Sequence, residues 1–583
     1  MPQDQCVFRT SDPMNLSSSV LSLGRGLLVG ALWIAALMLP AAFNALGEPR
    51  FIDLSLLVAP EYPVTWPAGW PFFQINPYLR IGSLSAYNSE ILTIDGNTGT
   101  QVDFPPHSIP APGTNLPNAG PLGLVFGEKV PAWQFAGEAC VVDVTTLIDK
   151  APNGKSSLIY KDEILNWEKK YRPLGFGDIV LFRSGYSDKY FRPFPDGRRF
   201  AAEPVEGKTP GWPDPDPETM DYLGRRGVMA LGTDSASMGP IPDMAEPTHL
   251  AGLKYGMIWT EGATRLDSLP PIGAFYCVLP PKHSGGATSE SRAFAVVGDP
   301  LAGQLIESAR KKRVIDLSMT LADGAPLAWS GTGVGNHRQP YVTVNFMLNP
   351  VTGLYQQTHI MDSHTGTHLV PPSYALPAPE FNNRNYSPEA REWLAEYEKQ
   401  YGTRGTSQIT AEQVPISQTC GWVRVISVGH LMGKIPRSHW PASAEITVAD
   451  IQKFESQQGL LKPGEIVIFR SDYSERCAQK NASKDCMESP LNGESEGWPA
   501  PGPAAILYLD EKRIRCVATD GPSIGGVNPK RALMTYWALG SKGMVGLEYL
   551  TNLRELPERA YLLFAAPKIR GCHGGVGRAI ALF

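Results

Sequence analysis

Short apolar, β-branched runs alternate along this chain with stretches of helical spacing. Ile52–Ser55, Cys140–Val144, Asp178–Phe182, Gly227–Asp234 and Ala274–Leu279 are bounded by glycine and proline and predict strands. Between them, Tyr160–Tyr171 and Asp216–Gly227 place apolar residues at three- and four-residue steps and predict helices. Strands alternating with helices predict α/β architecture with a mixed sheet.

The pattern is written twice. FIDLS at 51 returns as VIDLS at 314, NTGT at 97 as HTGT at 364, and GDIVLFRSGYS at 177 as GEIVIFRSDYS at 464. GTDSASMG at 232 returns as ATDGPSIG at 518, Glu261 at Glu548, and SRAFAVV at 291 as GRAIALF at 577. The offset is 263 and 267 for the first two blocks and 286 or 287 for the rest, so one insertion in the second copy accounts for the jump. The helical stretch Ser387–Tyr401, opening Ser-Pro-Glu, belongs to that insertion. The expected organisation is a first domain over 48–298, a helical connector over 299–311 and a second domain over 312–583.

Residues 1–47 stand apart. Arg25 precedes an uncharged stretch whose run Leu27–Leu39 is apolar, followed by Ala41, Ala42 and Ala45. This predicts a secretory signal peptide, or an uncleaved membrane anchor. The protein is then exported, periplasmic or anchored facing the periplasm, with membrane contact only if the segment is retained. Export permits disulfides, and Cys477 and Cys486, in one polar loop, are the best candidate pair. The other cysteines are read as lying in apolar strand-like runs, as buried free thiols. A net charge of −5 argues against a nucleic-acid binder, which usually carries a basic stripe. The expected partner is a small-molecule substrate, with further homo-oligomerisation left open.

The chemistry gathers around the repeated Thr-Gly-Thr turn. The second copy reads His364-Thr365-Gly366-Thr367-His368-Leu369-Val370; the first reads Asn97-Thr98-Gly99-Thr100-Gln101-Val102-Asp103, continuing to His107. Together with LFRSGYS, the G-T-D strand end, a histidine twelve residues before a glutamate, and the closing R-A-x-A, these motifs resemble the cyclase family of metal-dependent hydrolases. That family includes bacterial kynurenine formamidases and isatin hydrolases, and its motif is H-x-G-T-H-x-D-x-P-x-H. The resemblance implies two tandem copies of a swivelling β/β/α domain forming an intramolecular pseudo-dimer.

Carried over residue by residue, the resemblance splits the family's site between the copies. In the first, Asp103, His249 and Glu261 fall on metal-ligand positions and His107 on the proton-transfer position. Asn97 and Gln101 replace two histidines, as weak oxygen ligands or hydrogen-bond donors to substrate. In the second, His364, His368 and Glu548 match, while Val370, Tyr374 and Tyr536 replace the aspartate and two later histidines. Two carboxylates and an imidazole suit a divalent cation, zinc or manganese, which acidifies water and polarises a carbonyl. The first copy is therefore expected to be catalytic and the second degenerate.

The expected activity is hydrolysis of an amide, lactam or imide C–N bond. A non-catalytic binding protein, or a metal-assisted lyase or dehydratase on the same scaffold, are the alternatives. Trp66, Trp70 and Phe72 are candidates for an apolar wall against the substrate, with Trp329 at the place of Trp66 in the second copy. Asp234 and Asp520 either orient a ligand indirectly or cap a turn. His283, His337, His359, His430, His439 and His573 are assigned surface or packing roles.

Overall fold

The computed structural model describes residues 49–66, 72–323, 341–349, 354–477 and 484–583. The expected leader, Trp70 and Trp329 lie outside them. Among the described residues, no helix is long and apolar enough to cross a membrane.

Each copy builds a mixed nine-stranded sheet, and the two sheets share one strand order. Across the first run Arg50–Asp53, Arg292–Val297, Ala274–Leu279, Ala136–Asp143, Asp178–Arg183, Ala230–Thr233, Ile258–Glu261, Gln101–Asp103 and Thr288–Glu290. Across the second run Val314–Asp316, Arg578–Leu582, Tyr561–Ala565, Cys420–Ser427, Ile466–Arg470, Cys516–Thr519, Val545–Glu548, His368–Val370 and Gly575–Val576. The central parallel strands are near-continuous Val/Ile/Leu runs because both of their faces are buried. The fold is thus mixed α/β, with two similar curled sheets in tandem.

Helices form where the periodicity places them, at Lys161–Lys170, Pro217–Arg225 and Pro388–Tyr401. The last starts as its Ser-Pro-Glu opening dictates: the Ser387 side chain accepts from the Ala390 N–H, and Pro388 takes the first helical position. The connector helix Leu301–Arg310 does more than link. Ala302, Leu305 and Ile306 pack into one apolar cluster with Phe275 and Phe294 of the first sheet and Leu563 and Ile580 of the second.

Residues 49–583 form one unit, and its halves engage reciprocally. Strand Leu354–Asp362 of the second copy pairs antiparallel with Ser89–Asp95 of the first, continuing a four-stranded sheet across both copies. In this pairing Thr93 faces Ile360, its own counterpart at the 267-residue offset, so the pseudo-twofold axis passes between them. Val58 bridges Ile569 and, symmetrically, Leu321 bridges His283. Asp53 holds Arg292 of its own copy and Lys568 of the other; Asp316 holds Arg578 of its own copy and Lys282 of the other. This is the self-complementary logic of a twofold dimer carried out within one chain.

Burial raises both aspartates, but the facing cations outweigh it and hold both carboxyl groups below their ordinary 3.8. Their stabilisation is therefore complete above that value and is lost as pH falls through the lowered folded pKa. Asp53→Asn with Asp316→Asn is expected to lower the unfolding free energy by about 3 kcal/mol for each aspartate replaced, read by urea unfolding at pH 7. The gap from the unmodified protein should close only in acid, below the ordinary carboxylate range. An equal gap at both extremes would show that the charges are not its source.

Of the cysteines, Cys140, Cys277, Cys420, Cys516 and Cys572 are free and buried, as expected, although Cys572 lies in a glycine-rich polar segment rather than an apolar run. Cys486 is disulfide-bonded; the side chain of Cys477 lies outside those described.

Candidate functional site

The Thr-Gly-Thr turn positions the first copy's polar residues. Gly99 takes φ +67° and Gly366 φ +61°, conformations that favour glycine, and each turn delivers the chain into a short buried strand. Gln101–Asp103 pairs antiparallel with Ile258–Glu261, placing Gln101 opposite Glu261 and Asp103 opposite Trp259. His249 comes from the helix Ala245–Leu253, and His107 closes a short turn led by Pro105 and Pro106.

These elements bring Asp103, His107, His249 and Glu261 together, all buried. His249 Nε2 lies 3.4 Å from Asp103 Oδ2 and 3.6 Å from Glu261 Oε1. Its Nδ1 donates to the Ala245 carbonyl at 2.7 Å, which turns Nε2 towards the carboxylates. His107 Nε2 is 3.9 Å from Asp103 Oδ2, and its Nδ1 donates to the Tyr355 carbonyl at 2.9 Å. Tyr355 belongs to the second copy, so the neighbouring copy fixes this imidazole's tautomer.

Charge follows geometry. Burial pulls His249 down, but hydrogen bonds and charge from Asp103 and Glu261 outweigh it and lift it to about 10. Burial and the neighbouring His249 bring His107 down to about 4, against the lifting effect of the Tyr355 carbonyl and Glu261. Burial and the charge of Asp103 raise Glu261.

Asn97 and Gln101 are engaged within the protein. Gln101 Nε2 donates to Glu261 Oε2 at 2.8 Å and to Asn97 Oδ1 at 3.1 Å, while Asn97 Nδ2 donates to Asp95 at 2.9 Å. In this amide arrangement, inferred from the hydrogen-bond network, both residues orient Glu261. Three further groups that spacing did not point to hold the carboxylates. Trp259 Nε1 donates to Asp103 Oδ2 at 3.0 Å, the Met238 N–H to Glu261 Oε1 at 2.6 Å, and Ser237 Oγ to the same oxygen at 3.3 Å. Trp259 was legible only through strand register.

The residues fit a divalent cation. Asp103 Oδ1 is buried with no hydrogen-bond partner, and two carboxylates face one imidazole nitrogen whose ring is held from behind. One donor atom each from Asp103, His107 and His249 lies within 4.8 Å of the others.

The second copy repeats the scaffold with different chemistry. His368 faces Glu548 in strand register, its Nε2 3.0 Å from Glu548 Oε2. His364 packs 5.2 Å from His368, edge to face. Val370 stands where Asp103 stands and removes the carboxylate between the ligands. Tyr536, in place of His249, donates to Glu548 Oε1 at 2.6 Å, and Tyr374, in place of His107, packs 4.5 Å from His364. Tyr87 of the first copy stacks on Tyr374 at 4.8 Å. Tyr536, buried, and Tyr374, half-buried, thus fill the positions that the first copy gives to imidazoles, with Tyr87 packed against both.

The remaining candidates separate. Trp66 packs edge to face on Trp212 at 5.9 Å, and Phe72 is 73% exposed. Asp234 caps the turn after Asp178–Arg183, accepting from the Ser184 and Gly185 N–H groups and from Ser184 Oγ; Asp520 does the same for Ser471 and Tyr473.

The model of the Cyclase family, described as "Putative cyclase", matches residues 52–240 and 315–525. The isatin hydrolase of Roseibium aggregatum is 33% identical over 145 residues, which are 24% of this chain and 52% of that protein. The kynurenine formamidase of Salinibacter ruber is 27% identical over 242 residues, 42% of this chain and 95% of that protein. The chain thus spans about half the length of the first relative and nearly all of the second. Among solved structures, an isatin hydrolase bound to the product analogue thioisatinate matches at 20% identity and a TM-score of 0.36, covering 46% of this chain and 99% of its own.

Proposed function

This chain belongs to the cyclase family, and from that membership we propose that it is a metal-dependent hydrolase opening an amide, lactam or imide C–N bond in the cleft of its first copy. The observation that supports this reading is the convergence of Asp103, His249 and Glu261 beside His107. Asp103, His249 and Glu261 would hold the cation, zinc or manganese.

When bound, the cation supplies Lewis-acid polarisation of a carbonyl and a lowered water pKa. The chain supplies the rest. Trp259, Met238 and Gln101 hold the two carboxylates in place through N–H donors. The Ala245 carbonyl aims His249, and the Tyr355 carbonyl holds His107 with its Nε2 lone pair towards Asp103. Neutral at pH 7, His107 can take a proton from attacking water at Nε2 and return it to the leaving nitrogen. Nearly complete burial keeps bulk water from competing at these atoms.

The family relatives suggest the first substrates to try: isatin, whose lactam is opened by hydrolysis, and the N-formyl amide of kynurenine. Turnover in ¹⁸O-labelled water is expected to place one labelled oxygen in the new carboxylate. Product formed without label would assign the scaffold to elimination or dehydration chemistry, and no turnover across amides, lactams, imides and lactones would favour a binding protein.

A further inference from the structure

A second cluster of ionisable side chains lies buried where the two copies meet. His283 and Glu290 come from the end of the first copy and His359 from the shared strand Leu354–Asp362 of the second. One donor atom from each lies within 4.8 Å of the others. Their exposures are 1%, 0% and 0%. None of them belongs to the family motif, although Glu290 lies opposite Gln101 in strand register.

The hydrogen bonds leave unmet demand at the centre of this cluster. The Tyr341 hydroxyl lies 2.9 Å from His283 Nδ1 and 3.4 Å from the Leu321 carbonyl. His283 Nε2 lies 3.1 Å from Glu290 Oε1, a contact that the neutral imidazole satisfies with its proton on Nε2 and in which a cation can take that proton's place. His359 has its Nδ1 3.3 Å from the Thr343 hydroxyl, while its Nε2 is buried with no partner. Glu290 Oε2 is also buried with no partner. Each imidazole thus has a hydroxyl beside its Nδ1.

The pseudo-symmetry supplies an internal control. The counterparts of His283, Glu290 and His359 are Ile569, Val576 and Leu92, by the reciprocal bridges and strand registers. These three sit in one apolar core cluster. The fold is therefore built with hydrocarbon at this position, and burying three ionisable groups at its mirror position carries a desolvation cost that packing does not require. Burial alone drives His283 down to about 3 and is the main cause raising Glu290 to about 7.

We propose that His283, Glu290 and His359 form a structural divalent-metal site, of the zinc class, that bolts the two copies together. Two imidazole nitrogens and one carboxylate are three donors that zinc accepts, and a water or the second Glu290 oxygen completes the four. The imidazole rings are stacked, 3.7 Å apart and 8° from parallel. Parallel rings do not aim their lone pairs at one ion, so one ring must rotate out of the stack on metal binding.

The test is zinc content of the full chain, loaded in Zn²⁺, desalted and measured by inductively coupled plasma mass spectrometry. The background carries Asp103→Asn and His368→Ala, so that neither motif site holds metal. This protein is expected to retain about one zinc per chain and to lose thermal stability on chelation. Adding His283→Ile, Glu290→Val and His359→Leu, the residues of the mirror position, should abolish both the zinc and the chelator response. If the combined variant does not fold, His359→Leu alone in the otherwise unmodified chain should lower the zinc count by one. A folded background protein free of zinc, or a count unchanged by His359→Leu, would overturn the proposal and leave a proton shared between His283 and Glu290. This outcome is independent of whether the first copy hydrolyses anything.

Discussion

Asp103→Asn is expected to cost the first copy its metal and about a thousandfold or more in kcat/KM, several kcal/mol of transition-state stabilisation. The substitution keeps the shape and removes the charge. Asp103 Oδ2 already accepts from Trp259 and faces His249 and His107, so an amide there either turns its nitrogen to that oxygen's place, against a donor, or keeps a neutral oxygen there and puts its nitrogen at the other. In both cases His249 and Glu261 remain as the main ligands, too few for a tightly held ion open to substrate. Steady-state kinetics with metal analysis of the same protein checks this. His368→Ala, in the second copy, is expected to have a far smaller effect, because Val370 has already removed the carboxylate there. If His368→Ala gave the larger loss, the chemistry would belong to the second copy and the assignment would reverse.

How far the sequence carries depends on whether an interaction lies within a repeat or between repeats. Six blocks in the same order, with one jump of about 20 in their offset, are enough to predict two sheets of the same strand order, because equivalent apolar runs bury in equivalent ways. The turns at Gly99 and Gly366 were equally legible, since a Thr-Gly-Thr segment before a short apolar strand leaves few other conformations. Convergence of Asp103, His107, His249 and Glu261 could be expected only through resemblance: no local spacing brings residues 103 and 261 together, and strand register does.

What escaped were contacts made by folding one copy against the other. His283, Glu290 and His359 share no periodicity, and their meeting depends on the antiparallel pairing about Thr93 and Ile360. The same holds for the Tyr355 carbonyl on His107, a main-chain atom that carries no side-chain signature. Gln101 could be read as an oxygen ligand because composition shows which groups an amide has but not which end faces the cleft; the buried Glu261 carboxylate decides that by attracting the nitrogen.

His107→Gln is expected to lower kcat by about 10²–10⁴-fold, the usual range for loss of a positioned acid–base group, with metal content kept. The two replacements thus have different signatures. Asp103 is placed to hold the ion, so its loss removes metal and rate together. His107 is placed to move a proton, so its loss should spare the metal. The geometry argues for that division. His107 Nε2 stands 3.9 Å from Asp103 Oδ2, farther than His249 at 3.4 Å, and its ring is aimed by a carbonyl of the other copy. Glutamine can still donate to the Tyr355 carbonyl but has no nitrogen that accepts a proton at neutral pH. An activated substrate, whose leaving group departs without protonation, should recover much of the lost rate in the variant, while an unactivated amide should not. Metal loss in His107→Gln, or equal losses for both substrates, would make His107 a ligand and leave the proton transfer to another group.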